Sequence, residues 1–496
     1  MSDRGNPLAE SLQAGRFTFM VELVASATKP ESEVLDLAAK LGSIPQITAI
    51  GITSYAGGAT GHDPIRIAEG VRDRGFTPNI HLTCVNFDRA GIAKNLRYLQ
   101  EKGLHNVFTI SGDWPKGGTP VFDVDSVQLA SAVADLRARD KTPFHISVAV
   151  SPFKYHREDC LYQYIKLEKK IAAGANMAIT QVGWDARKFL ELKRYLDERG
   201  LTTPVLGNVY VLGAKAAERM ATGNPPGCWA SPELVAATAR GAAAADKGLS
   251  DRLERAAIGV AILKGIGYAG AYIGGTHDPG QIAQIIGRGE ELAPRWEELV
   301  EQLQFGRKDG FYLYQKDKTA QPVRKLLPVL LDAAGKALPM PWSKTPKDGV
   351  LRSAITGALS LIDRVPSLNH AFERVEYFSK HEIFGCKNCG NCVLGSMEYV
   401  CPQTCPKQMR NGPCGGTNHG MCEVIPEQPC IWVEVMDRAQ AGKRVDQLKL
   451  FVPPPDRALT GTASWINFYL GRDSRPGRPH HGILASLDES SGTRQS

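Results

Sequence analysis

Across the first 290 residues, short β-branched apolar runs alternate with longer amphipathic segments, the pattern of repeated strand–helix units and a parallel sheet. Eight runs are predicted as strands: FTFMVELV (17–24), ITAIGIT (47–53), PNIHLTC (78–84), NVFTIS (106–111), FHISVAV (144–150), NMAITQV (176–182), TPVLGNV (203–209) and GAYIGG (270–275). Between them, segments such as SEVLDLAAKL, DRAGIAKNLRYLQEKG, LYQYIKLEKKIAAGA and ARKFLELKRYLDERG carry helical periodicity, and several end in the glycine expected just past a helix C-terminus.

Eight units predict an α/β fold closed as a (β/α)8 TIM barrel over residues 1–300. A doubly wound sheet is the competing arrangement, but no G-x-G-x-x-G follows the first strand. Each candidate strand delivers a polar group at its C-terminal end: Glu22, Thr53, His81, Asp113, Ser151, Gln181, Asn208 and His277. In a barrel those ends converge on one face, which holds the active site. Residues 301–380, including the proline-rich KALPMPWSKTPKDG, read as a linker with partial helical structure. A small cysteine-rich metal-binding domain is expected over 381–450, and a tail over 451–496, its last 25 or so residues disordered by composition.

A length of 496 residues exceeds a single hydrophobic core, and 43% hydrophobic with 22% charged residues is ordinary globular usage. The net charge of +7 comes from scattered Lys and Arg, which argues against a nucleic-acid partner but suits anionic small ligands such as phosphates or polyglutamate. No apolar run reaches membrane-spanning length, and MSDRGNPLAESLQAGR lacks the plan of a signal peptide, so a cytoplasmic protein without a membrane partner is expected.

Glu22 sits in FMVELVAS, where an unpaired ionised carboxylate is expensive to bury. It reads either as a carboxyl of raised pKa that serves as general acid, or as half of an ion pair with a barrel Lys or Arg. Asp113, in SGDWPKGG, reads as part of a ligand wall or as a plain turn aspartate, and Gln181 offers an amide to the edge of a heterocycle. His81 is either a cofactor contact or a satisfied barrel histidine. The repeated HDP at 62–64 and 277–279 reads as two helix starts.

Eight of eleven cysteines fall within 45 residues: Cys386, Cys389, Cys392, Cys401, Cys405, Cys414, Cys422 and Cys430. Without a secretory signal, such density reads as metal ligation, and eight thiols satisfy two four-coordinate sites. C-x2-C-x2-C resembles iron–sulfur ligation, and zinc accepts the same thiolates.

Glu22, HLTC at 81–84, SGDWPKGG at 111–118 and AGANMAITQ at 173–181 resemble, in order and spacing, the methylenetetrahydrofolate reductase family over roughly residues 15–290. CPQTCPKQMRNGPCGG similarly resembles the small domain fused to some bacterial members, where zinc or a 4Fe-4S cluster is associated with it and electron entry is the implied role. The resemblance implies interconversion of 5,10-methylene- and 5-methyltetrahydrofolate by hydride transfer, with FAD or FMN as cofactor and NAD(P)H or a redox partner protein as donor.

By the same resemblance, Glu22 and Asp113 are catalytic, and Gln181, Asp113 and Thr53 face the folate. His81, Ser111, Gly112, Ser151, Lys166, Lys169 and Lys170 fall at flavin-side positions. Departures concentrate there: Ser111 replaces an arginine, Ser151 a tyrosine, and Gln163 with three lysines replaces a mixed Asp, Asn, Arg and Lys set. Flavin bound differently or absent, with hydride arriving directly from a nicotinamide, is therefore an open expectation. A homo-oligomer is expected. The alternatives are a folate-dependent methyltransferase component and a non-catalytic electron-transfer or scaffold subunit with a degenerate barrel.

Overall fold

The computed structural model describes residues 5–54, 61–115, 117–316, 325–337, 349–476 and 483–484. Eight parallel strands, β1 (Thr18–Leu23), β2 (Ile47–Ile52), β3 (Pro78–Thr83), β4 (Asn106–Ile110), β5 (His145–Val150), β6 (Met177–Thr180), β7 (Val205–Tyr210) and β8 (Gly270–Gly274), close in sequence order into a barrel. The ring is completed by β8 pairing onto β1, with Val21 opposite Ile273. Helix α1 (Pro7–Gln13) precedes the barrel. Helices α2 (Glu31–Gly42), α3 (Pro64–Asp73), α4 (Arg89–Glu101), α5 (Ser126–Asp140), α6 (Arg157–Ala172) and α7 (Ala186–Glu198) follow β1 to β6 in turn. Three helices, α8 (Ala214–Ala221), α9 (Pro232–Ala242) and α10 (Leu249–Ile266), separate β7 from β8, and α11 (Pro279–Leu292) follows β8.

The helix starts are set locally. Asp63, Asp88, Asp125, Asp185 and Asp278 each accept a first-turn backbone N–H, satisfying donors that the helix itself leaves free. Both HDP tripeptides are such starts, with Pro64 and Pro279 in the first turn.

Strand alternation sorts the core into two layers. Met20, Ala49, Phe108, Met177, Ile179, Leu206 and Tyr272 fill the barrel interior, closed below by Leu8 of α1. Phe19, Val21, Leu23, Ile50, Ile52, Val107, Ile146 and Val148 face the opposite way and pack against the helices. Glu22 shares the inward parity of Met20, two residues further toward the strand's C-terminal end.

After α12 (Trp296–Leu299), α13 (Leu326–Ala337), α14 (Val350–Arg364) and α15 (Pro366–Phe384) run through the segment expected as a linker, whose residues 317–324 and 338–348 lie outside the described residues. Then come α16 (Ile431–Ala441) and α17 (Ser464–Tyr469). Leu359 of α14 packs with Ile466 and Phe468 of α17, and Val452 is fully buried, so the start of the expected tail is folded. Most of the last 25 residues lie outside the described residues. Among the described residues, no helix is long and apolar enough to cross a membrane.

Candidate active site at the barrel mouth

Glu22 lies half-buried at the inward C-terminal end of β1, held against β8 by a backbone hydrogen bond from Gly275. Gly274 leaves room for it: a Cβ there would stand 2.8 Å from Glu22 Oε2. No Lys or Arg is paired with it among the described residues, so the ion-pair alternative is not what the fold builds. Loss of hydration then dominates and pushes the carboxyl pKa up to about 7, with the Gly275 bond opposing. Tyr210, Tyr272 and Cys228 are its electrostatic neighbours, each held above its usual pKa first by burial.

Asp113 follows β4, and desolvation also raises its pKa. Lys407 opposes that shift and Glu423 adds to it. Both of these partners come from the cysteine-rich segment. Lys407 forms a buried ion pair with Glu423 and donates to the Gly112 carbonyl at 2.8 Å. Gln181, after β6, turns its Oε1 onto the Val182 N–H and its Nε2 toward Gly227, where a Cβ would stand 3.2 Å from it. Gly227 and Cys228 also floor a recess of about 320 Å3 lined by Phe153, Tyr155, Trp229 and Arg307. Lys154, Cys228, Lys407 and Glu423 had no local signal in the sequence, because their chain neighbours say nothing about what faces them in space.

Other candidates have structural partners. His81 stands edge-on to Phe108 and within 3.3 Å of the Tyr272 hydroxyl, and burial lowers its pKa to about 4, so it is a satisfied neutral barrel histidine. Thr53 accepts the Ala25 N–H at 3.3 Å and bonds the Leu23 carbonyl, tying the ends of β1 and β2. His277 accepts the Val24 N–H at 3.4 Å, while Asn208 Oδ1, on the inward face of β7, has no hydrogen-bond partner.

Most residues placed on the flavin side make contacts to other protein groups. Ser111 has outward parity and meets Ser126 at 3.4 Å and Met409 Sδ at 3.7 Å. Gly112 is required by its φ of +84° and by Val85, which a Cβ would approach to 2.9 Å. Lys166 donates to the carbonyls of Gly412 and Pro413 at 3.2 and 2.7 Å, and Lys170 to that of Ala149 at 2.6 Å. Burial first, and then the nearby Lys166 ammonium, lower the pKa values of Lys169 and Lys170 to about 7, with Asp125 opposing. Ser151 and Lys169 are buried without a hydrogen-bond partner. Residues 407–417 pack against this side of the mouth.

The sequence of the barrel has known relatives. Residues 8–224 match the methylenetetrahydrofolate reductase family model. Residues 365–458 match a second model, described as methylenetetrahydrofolate reductase C terminal. Similar proteins include the 5,10-methylenetetrahydrofolate reductase of Salmonella typhimurium, 30% identical over 161 residues, which are 31% of this chain and 51% of that protein. A probable methylenetetrahydrofolate reductase (NADPH) of Caenorhabditis elegans is 28% identical over 30% of this chain and 22% of that one. A maize relative is named as NADH-dependent, with 26% identity over 32% of this chain and 29% of its own. The chain thus matches about half or less of the length of these relatives. Among solved structures, an uncharacterized protein from Clostridium thermocellum that binds two copies of 5-methyl-5,6,7,8-tetrahydrofolic acid is similar at a TM-score of 0.43 and 10% identity, over 58% of this chain and 99% of that one.

The second match encloses all eight clustered cysteines, none of them in a disulfide. They separate in space as they do in sequence. Cys386, Cys389, Cys392 and Cys401 line one recess of about 500 Å3 together with Glu376, Lys380 and Arg410. Cys405, Cys414, Cys422 and Cys430 form a second neighbourhood beside Lys407 and Glu423, linked by their mutual electrostatic influence. Among the described residues, no group of three or more His, Cys, Asp or Glu converges tightly enough to hold a single metal ion.

Proposed function

We propose that the protein interconverts 5,10-methylenetetrahydrofolate and 5-methyltetrahydrofolate by hydride transfer, with NAD(P)H or a protein as the electron source. The observation that carries this reading is Glu22: a carboxyl with no cationic partner among the described residues, at the C-terminal end of the first strand of a family-matched barrel, holding a proton up to about pH 7. Protonation of folate N10 by Glu22 breaks the C–N10 bond of the five-membered ring and leaves an N5 iminium. Hydride adds to that methylene and completes the methyl group. Asp113, beside the mouth, stabilises the cation, and Gln181 and Thr53 orient the pterin. The test is turnover of 5,10-methylenetetrahydrofolate with NADH and NADPH by the full chain, and by Glu22→Gln. Full activity of the variant removes Glu22 from the role.

The eight cysteines belong to the same proposal as two four-thiolate sites, Cys386/Cys389/Cys392/Cys401 and Cys405/Cys414/Cys422/Cys430, for zinc or 4Fe-4S clusters. The recess lined by Cys386, Cys389, Cys392 and Cys401 supports this, since four thiols gathered without a disulfide suit metal ligation. A zinc site would brace the segment, and a cluster would carry electrons. Iron, zinc and sulfide analysis of anaerobically purified protein distinguishes them, and metal-free, folded protein overturns both. The covered flavin side favours one second reading, a non-catalytic folate-binding or electron-transfer subunit, which absence of turnover with every donor would support.

A further inference from the structure

We propose that residues 407–417 occupy the flavin's side of the barrel mouth permanently, so that this chain holds no flavin and passes hydride from a reduced nicotinamide directly to the folate methylene. The hydride step rests on the reductase reading above; the exclusion of flavin does not.

The segment is bound as an interior element is bound. Asp125 is fully buried, caps α5, and with its second oxygen accepts the backbone N–H groups of Arg410 and Asn411 and the Asn411 side-chain amide, at 3.0, 2.9 and 2.9 Å. Lys166 and Lys154, both nearly inaccessible, spend their ammonium groups on the carbonyls of Gly412, Pro413, Gly415 and Thr417. Thr417 in turn donates to Asp159 at 2.6 Å. Gly412, at a φ of +120°, lies so close to Tyr162 that a Cβ would come within 2.6 Å of the ring. Lifting this segment to admit an isoalloxazine leaves two ammonium groups and one oxygen of a buried carboxylate without partners, which is strongly disfavoured. A lid that opens each turnover uses weaker, wetter contacts. Ser151 Oγ, Asp159 Oδ1, Tyr162 Oη, Gln163 Nε2 and Lys169 Nζ remain buried on this side without a hydrogen-bond partner.

The chemistry balances without flavin. The C4–H bond of the dihydronicotinamide breaks with its electron pair, a C–H bond forms at the iminium carbon, the nicotinamide leaves oxidised, and the proton on N10 comes from Glu22.

Two measurements test this. First, the full chain, as purified and after incubation with FAD and with FMN, is denatured and its flavin extracted, with equilibrium titration by flavin fluorescence alongside. Flavin far below one per chain, and no saturable quenching, is expected; stoichiometric flavin from either route overturns the proposal whatever the activity. Second, turnover is run with nicotinamide deuterated at C4. Direct transfer keeps the deuterium in the product methyl group, whereas passage through flavin N5, whose hydrogen exchanges with water, washes it out and overturns the proposal. No turnover together with no flavin binding upholds the exclusion of flavin and defeats the reductase reading instead.

Discussion

The two sides of the barrel mouth are built on the same strands and treated in opposite ways. At β1 and β8 the fold leaves a carboxyl unpaired, gives it glycine neighbours, and lets desolvation keep it protonated near neutrality. At β4, β5 and α6 it spends Ser111, the Gly112 carbonyl, Lys154 and Lys166 on bonds to a segment about 250–300 residues away along the chain, while Ser151, Gln163 and Lys169 stay buried without partners. Reactive groups are left unsatisfied where a substrate completes them, and satisfied where protein already does. The difference separates a side of the mouth where a carboxyl faces the opening from a side filled by the chain's own cysteine-rich segment.

The largest expected effect that sharpens this contrast is at Glu22. Glu22→Gln removes the proton donor while keeping shape and burial, so kcat should fall by about 10²- to 10⁴-fold with the melting temperature unchanged. A loss of folding instead would mean the carboxyl is structural. Next is Asp125→Ala, which deletes the α5 cap and orphans three buried donors, at a cost of about 3 kcal/mol in chemical denaturation. Limited proteolysis should then cut between residues 407 and 417 first. Unchanged protection would break the claim that this aspartate anchors the segment.

A pH profile gives a smaller effect with a definite sign. The acid form of Glu22 is the active one, so kcat/KM should be flat below about pH 7 and fall tenfold per unit above it. Tyr210, Tyr272 and Cys228, the groups facing it, stay neutral through that window, because burial holds each of them above its usual range. In Glu22→Gln the descending limb should vanish; its persistence would assign it to another group. The smallest effect is Lys166→Met, which leaves two carbonyls unpaired and should cost about 1–2 kcal/mol of stability with little change in kcat. If Lys166 instead held a flavin, the variant would lose activity and flavin together.

The barrel was legible because its signal is local and repeated. Each predicted strand is found within two residues of its expected bounds, since β-branched runs bounded by polar caps specify their own conformation. Glu22, Thr53 and Gln181 could be placed at one end because strand direction alone fixes that end in a barrel. The flavin-side residues could not be assigned from the same logic. Ser111 differs from its neighbours only in parity, and Lys166 is one of several lysines on a helix, with nothing nearby to announce its partners.

By itself, then, the sequence determined the eight-stranded barrel, the end at which chemistry gathers, and the clustering of eight cysteines, because periodicity, chain direction and spacing are properties of neighbouring residues. Tertiary structure alone decided that Glu22 has no cationic partner among the described residues, that Cys228 joins its surroundings and Lys407 those of Asp113, and that residues 407–417 cover Ser111 and Lys166. Those outcomes depend on how a distant segment docks, and docking is selected by the summed burial and pairing of groups that no local pattern connects.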